Sequence, residues 1–507
     1  MRFRVSIVIM IAVVFVTDST GSFAQAFYHE KYRPQIHFSP REKWTNDPNG
    51  MLYYNGVYHL FFQYYPDSTV WGPMHWGHAT STDLVHWTQG PVALYPDSLG
   101  YIFSGSAVVD KNNTSGFGIN GQPPMVAIFT QHDPKREKAG RSDFQRQSIA
   151  YSIDNGKTWT KYAKNPVLKN PGITDFRDPK VMWYEPAKKW VMTLATKDRI
   201  SFYSSPNLKN WKKESEFGSD MGAHNGVWEC PDLFPLSDGG NTVWVLIVSV
   251  NPGAPNGGSG TQYFLGWFDG KTFKAYNNTT KWIDYGPDDY AGITWSNTGS
   301  RKIFLGWMSN WIYANQVPSG RWRNAMTIPR ELRLKHAGPE LFLASTPVAE
   351  LKKIGSMPAF PDAGLADKHA ALSEKIQQIN TPCRIDLQFG KLSDFVLTLS
   401  NTAGEELSLG YDGQLNQFFI DRSRSGRTDF NNQFSGRHVA PRLAATQACG
   451  ITLIIDNSSI ELFADDGLTV MTELCFPGMP YNQMHFKSAT PVSLDKMEYT
   501  RYRSIWK

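Results

Sequence analysis

Ser81-Thr82-Asp83-Leu84-Val85-His86-Trp87 is echoed by Ser152-Ile153-Asp154-Asn155-Gly156-Lys157-Thr158-Trp159 and by Ser204-Ser205-Pro206-Asn207-Leu208-Lys209-Asn210-Trp211. A fainter copy is Phe268-Asp269-Gly270-Lys271-Thr272-Phe273. Each reads as a strand end, a tight polar turn and an aromatic plug. The copies recur roughly every 50–70 residues, room for a four-stranded sheet with its loops, and such a sheet is the repeating unit of a β-propeller. Strand signals fill the intervals. Residues 51–54 and 57–63 flank Asn55-Gly56, a tight-hairpin dipeptide. Further strands are expected at 125–130, 148–152, 181–184, 190–195, 201–204, 243–250, 262–268 and 302–308. No segment of useful length keeps a 3.6-residue apolar period, so few helices are expected.

The character changes after about residue 345. Trp is frequent before that point and then absent until Trp506. Residues 395–400 with 406–411, and 451–456 with 459–464 around Asn457-Ser458, alternate apolar and polar as antiparallel pairs, which reads as a β-sandwich. Residues 341–357, with Pro347, look like a connector, and 365–375 has some helix-friendly composition. The chain therefore divides into a leader (1–26), a propeller (27–345), and a linker with a C-terminal sandwich (346–507), an all-β protein.

Arg2 and Arg4 precede an apolar run at 5–16, and Ala24-Gln25-Ala26 fits a small-x-small cleavage site. This pattern predicts a cleaved signal peptide and a secreted or periplasmic protein with no membrane attachment after cleavage. A net charge of +5 over 507 residues is too mild to imply a nucleic-acid partner. Cys230, Cys383, Cys449 and Cys475 match no zinc spacing and are too few for a disulfide scaffold. Cys230 reads as a small buried packing residue, while export would permit a bridge among the other three. His75 and His78 lack a third ligand at metal spacing and read as structural. Aromatic residues make up 14 % of the chain. Most belong in cores, but flat rings with a polar edge also suit sugars.

Three short motifs carry the chemistry. Asn46-Asp47-Pro48-Asn49-Gly50 is by itself a good turn; Trp44 before it and the apolar 51–54 after it would hold Asp47 rigidly at a strand end. Phe176-Arg177-Asp178-Pro179 sets Arg beside Asp just before a strand. Alone, it reads equally as a surface ion pair or as a pocket pair, with Asp178 accepting from sugar hydroxyls and Arg177 donating from its fork. Trp228-Glu229-Cys230-Pro231-Asp232 places Glu229 among apolar sequence neighbours. That setting would raise its pKa, as a general acid at neutral pH requires.

Taken in order, the three motifs resemble those of glycoside hydrolase family 32, the retaining β-fructosidases. The resemblance extends to the Gln63 segment Phe61-Phe62-Gln63-Tyr64-Tyr65-Pro66, to Trp71-Gly72-Pro73-Met74-His75-Trp76-Gly77-His78, to Phe103-Ser104-Gly105-Ser106, to Gly306-Trp307-Met308-Ser309-Asn310-Trp311 and to Ile460-Glu461-Leu462-Phe463. It implies a five-bladed β-propeller followed by a C-terminal β-sandwich. It implies Asp47 as nucleophile, Asp178 as transition-state stabiliser and Glu229 as acid/base, with Asn46, Gln63, Trp71, Phe103, Ser104, Arg177 and Trp311 binding substrate. No metal or organic cofactor is implied. The substrate would be a fructan, a fructo-oligosaccharide or sucrose, and the protein a monomer or weak oligomer. Two departures stand out. Thr45 sits where Met or Leu is usual, and Asp289 replaces a common Phe, where it is expected to reshape the pocket edge. The leading expectation is an exo-acting fructan β-fructosidase of levanase or inulinase type. An invertase-like or endo-acting enzyme is the alternative. A silent sugar-binding protein is more remote, since it would be expected to have lost one of the three carboxylates.

Overall fold

The computed structural model describes residues 27–356 and 371–506. The expected leader therefore lies outside the described residues, as do 365–370 of the helix-friendly stretch. The remainder of that stretch belongs to a strand, Ala371–Gln378.

Five antiparallel sheets follow one another along the chain. Their first strands are Lys43–Tyr54, Tyr101–Val109, Phe176–Tyr184, Val227–Asp238 and Tyr290–Thr294. Each packs against the next, and the fifth packs against the first, so these strands ring a central channel. The ring closes twice. Trp322–Arg323 pairs in parallel with Lys43 and Trp44, and Ser296 exchanges backbone hydrogen bonds with Met51 and Tyr53. Apolar side chains fill the spaces between blades. Leu52, Phe61 and Trp76 of the first blade meet Ile102, Ala107 and Phe129 of the second, all buried.

The repeated segments are the turns from third to fourth strand in blades one to four. Asp83, Asn207 and Asp269 each accept from two following backbone N–H groups, and Asp154 accepts from Thr158 N. The indoles of Trp87, Trp159 and Trp211 donate back to the carbonyls of Leu84, Gly156 and Leu208. Asn55-Gly56 forms the expected hairpin, with φ +48° and +81°. The stretch read as a connector begins instead inside the fifth blade: Glu340–Pro347 pairs with Arg330–Ala337, and only then does a short 3-10 helix, Ala349–Ile354, lead out. The apolar run Leu341-Phe342-Leu343-Ala344 holds it in the sheet, with Leu343 packed beside Leu332 and Phe342 and Ala344 beside Leu468.

The second unit is a two-layer sandwich sharing one long strand, Gln483–Arg501. The first part of this strand pairs with Phe395–Ser400 and the last part with Cys383–Phe389. Both expected hairpins are present, Ser400 opposite Glu406 and Ile455 opposite Ile460. Leu397, Leu409 and Phe486 pack against Ile385, Leu453 and Leu462 in its core. All four cysteines are buried and free.

A buried ion network joins sandwich to propeller. Arg330 donates to Asp284 at 2.8 Å and to Asp289 at 3.0 Å, both propeller residues, and to Glu461 of the sandwich through Nε at 3.1 Å. His37 bridges Asp456 and Glu461 at 2.7 and 2.8 Å. Burial works against its charge, yet these two carboxylates outweigh burial and push its pKa up to about 9. Arg422 of the sandwich donates to Asp288 at 2.7 Å. Asp289 therefore does not edge the pocket as expected. It points away from the channel into this interface, where a guanidinium receives it.

Candidate active site

All three motif carboxylates sit inside first strands, not on turns at strand ends. In each of the five first strands an extra residue is inserted against its neighbour near the site, and the first strand carries a second, where Asn49 to Leu52 spans Phe61 to His59. Thr45 to Pro48 spans the partner's Tyr64 to Phe62, Ile102 to Gly105 spans Gln131 to Phe129, and Arg177 to Lys180 spans Ala195 to Thr193. Glu229 to Asp232 spans Ser249 to Ile247, and Tyr290 to Ile293 spans Trp307 to Leu305. These are β-bulges, which re-aim side chains and interrupt pairing. Pro48, Pro179 and Pro231 sit at three of them, where a residue without N–H removes no ladder bond. Asp178, Cys230 and Ala291 adopt left-handed backbone there, φ +63°, +45° and +54°. Ser106 caps the third bulge from the neighbouring blade, donating to Pro179 O at 2.9 Å and accepting from Val181 N at 3.0 Å.

The bulges bring the carboxylates together. Asp47 accepts from Ser104 Oγ at 2.6 Å and from Asn46 Nδ2 at 3.0 Å. Trp44 Nε1 holds Asn46 in turn, at 2.8 Å. Asp178 accepts from Cys230 N at 3.0 Å, while its own N–H donates to Thr130 Oγ1 at 3.0 Å. The Cys230 thiol lies 3.5 Å from Asp47 and 3.6 Å from Asp178. Glu229 accepts from Arg177 Nε at 3.0 Å and from the Tyr290 hydroxyl. Arg177 also donates to Asp175 at 2.5 Å. Burial raises the Asp47 pKa, with the Glu229 charge adding and the Ser104 bond opposing. Burial raises Asp178 too, with Glu229 and Asp47 adding and Arg177 opposing.

Asn46, Ser104 and Arg177 thus touch the carboxylates directly. Gln63 is buried, with its amide Nε2 unpaired among the described residues. The rings stand one step out. Trp71, 40 % exposed, meets Phe103 edge-on at 6.1 Å, and Phe103 stacks on His132 at 4.4 Å. Trp311 reaches the centre through Trp44 and Trp307, at 6.1 and 4.8 Å. Thr45 is buried and donates to Gln63 O at 3.1 Å.

One further expectation is corrected here. The neighbours of Glu229 are a guanidinium and a phenol, not apolar groups. Trp228 packs away into the blade, and the partners arrive from other blades. Cys230 is buried as expected, but it also serves the site as a backbone donor. Sequence reading missed Tyr290, Asp175 and Thr130. Tyr290 directly follows Asp289, the residue that drew the attention.

Clustered carboxylates at the mouth of a β-propeller channel, with a partly buried guanidinium and flanking aromatic rings, are the equipment of a glycoside hydrolase. The chain matches the Glycosyl hydrolases family 32 N-terminal domain over residues 37–345 and the Glycosyl hydrolases family 32 C terminal over residues 362–501. It belongs to that family. It is 48 % identical to the levanase of Bacillus subtilis (strain 168), over 92 % of this chain and 69 % of that one. It is 42 % identical to the extracellular exo-inulinase of Aspergillus niger, over 90 % and 92 %. The crystal structure of exo-inulinase from Aspergillus awamori superposes with a TM-score of 0.86 at 37 % identity, covering 94 % of this chain and all of that one.

Proposed function

We propose that this protein is an exo-acting fructan β-fructosidase that releases terminal fructosyl units with retention. The observation that carries the reading is the direct linkage of the site's groups. Asp47 and Asp178 meet at Cys230, and Glu229 is held by Arg177, the neighbour of Asp178 in the chain. In the first step Asp47 attacks the anomeric carbon of the terminal fructosyl unit. The bond to the leaving oxygen breaks, and Glu229 gives that oxygen its proton. In the second step water gives a proton to Glu229 and displaces Asp47, releasing fructose. Asp178 accepts from fructosyl hydroxyls and favours the positive charge that develops in the transition state of each step. Ser104 and Asn46 hold Asp47 in line. Gln63, Trp71, Phe103 and Trp311 would receive the sugar rings. The levanase and exo-inulinase relatives support a fructan as substrate, and the word extracellular in the name of one of them accords with the expected export.

The test is a product time course on levan, inulin and sucrose, with early-time NMR of the released sugar. Free fructose as the first product, in its initial β form, is expected. A ladder of oligomers would instead establish endo action. Sucrose cleaved far faster than either polymer would make the protein invertase-like, and an inverted product would overturn the mechanism.

A further inference from the structure

Beneath the carboxylates, on the channel side away from the funnel, lies an ion pair that the chemistry above does not use. Lys180 Nζ donates to Asp232 Oδ2 at 3.0 Å and to the carbonyl of Thr294 at 2.5 Å. The same Asp232 oxygen accepts from Thr294 N and Oγ1, both at 2.7 Å. Lys180 is 8 % exposed and Asp232 1 %. Lys180 lines two voids. One is narrow and shared with Ser104, Asp178 and Cys230 at the floor of the site; the other is a cavity of about 580 Å³ at the far end of the channel, shared with Asp232, Thr294 and Lys302.

The position of this pair is informative. Lys180 follows the bulge that carries Asp178, Asp232 follows the bulge that carries Glu229, and Thr294 follows the bulge that carries Tyr290. One ammonium and one carboxylate thus tie three blades together just below three groups that must stay in register. A buried ion pair is weak evidence for stability, because well-packed apolar residues of similar volume often serve as well or better. What such a pair provides that packing does not is directed, charge-assisted bonds of fixed length.

We infer that Lys180 and Asp232 are positioning residues that set the spacing between Asp178 and Glu229, and so govern turnover without touching substrate. The inference rests on the site reading given above. A misplacement of about 1 Å can cost about 10²-fold in rate, so the effect of removing the pair is large enough to measure.

The decisive variant is the double Lys180→Met/Asp232→Leu, which removes both charges at once, assayed on sucrose and on an activated aryl fructoside. It should melt close to the parent, lose about 10–100-fold in kcat and keep KM within about twofold. The loss should be larger on sucrose, whose leaving group needs the proton of Glu229. Asp232→Asn, which keeps the acceptor and drops the charge, should show the same pattern more weakly, and it decides the matter if the double variant fails to fold. A folded variant with parental kcat, or a loss that falls on KM alone, overturns the inference. If Asp47→Asn and Glu229→Gln abolish turnover while these variants keep it, only this inference fails. If those two also keep turnover, the site reading fails first.

Discussion

Asp289 and Tyr290 are neighbours in the chain, yet they belong to two charge clusters built on opposite terms. In the funnel, Arg177 pairs with Asp175 and Glu229, while Asp47 and Asp178 beside them accept from neutral donors. The side chains of Arg177, Glu229 and Asp175 remain 13, 20 and 27 % exposed. In the interface, Asp284, Asp289 and Glu461 close around Arg330, and Asp456 and Glu461 close around His37, every side chain at 0 %. One cluster is short of cations and open to a ligand; the other is sealed and internally bonded. Excess negative charge that water and sugar can reach is disposed to react. The same residue types, sealed against guanidinium and imidazolium, hold two domains together.

Four changes test that contrast. The largest effect should come from Asp47→Asn, which removes the proposed nucleophile and should abolish turnover. Because burial raises the Asp47 pKa, its charge disfavours the fold at neutral pH, so the neutral amide should melt no lower than the parent. Assay and thermal melt on one preparation check both halves. Normal turnover in a preparation free of parent enzyme would remove Asp47 from its role. Glu229→Gln should lose about 10²–10⁴-fold on sucrose but far less in the first step with an activated aryl fructoside, which leaves without a proton. Equal losses on both substrates would make Glu229 structural.

In the sealed cluster the signs should reverse. Arg330→Met strands three buried carboxylates and should cost about 3–5 kcal/mol of stability, while activity per folded molecule stays near the parent's. Calorimetry with active-site titration separates the two. The smallest effect is a pH dependence. With its folded pKa raised to about 9, His37 contributes stability that is fully present below about 6.5 and is lost as pH rises through about 9. The melting temperature should fall across that window, and His37→Gln should flatten the fall while lowering the whole curve. An unchanged slope in that variant would assign the pH dependence to other groups.

Much of this architecture was legible in the sequence because turns are local. The Asp83, Asp154, Asn207 and Asp269 turns announced four blades through residues that bond to their own backbone. The fifth blade was silent, since its corresponding turn runs through Ala337-Gly338-Pro339 with neither feature. The bulges were not legible, because register belongs to pairs of strands; the prolines at 48, 179 and 231 were the only local trace. The surroundings of Glu229 were misread for a related reason. In a strand the next residue faces the other way, so Trp228 describes the blade's core and not the site. Asp289 was misplaced by the same alternation, one residue from a phenol that does face the funnel.

The residues inserted on the inner strands have a consequence that can be put in the language of reading frames. Each inner strand is set by a count: one residue more than its neighbour at the level of the site, and in the first blade a second one further along. Substitution leaves the count intact, but a single-residue deletion or insertion on an inner strand moves every later side chain to the opposite face. The peripheral turns carry no such count, and length changes there are absorbed in solvent. A scan of one-residue deletions along this chain would therefore trace the funnel in negative, by the positions at which the frame cannot slip.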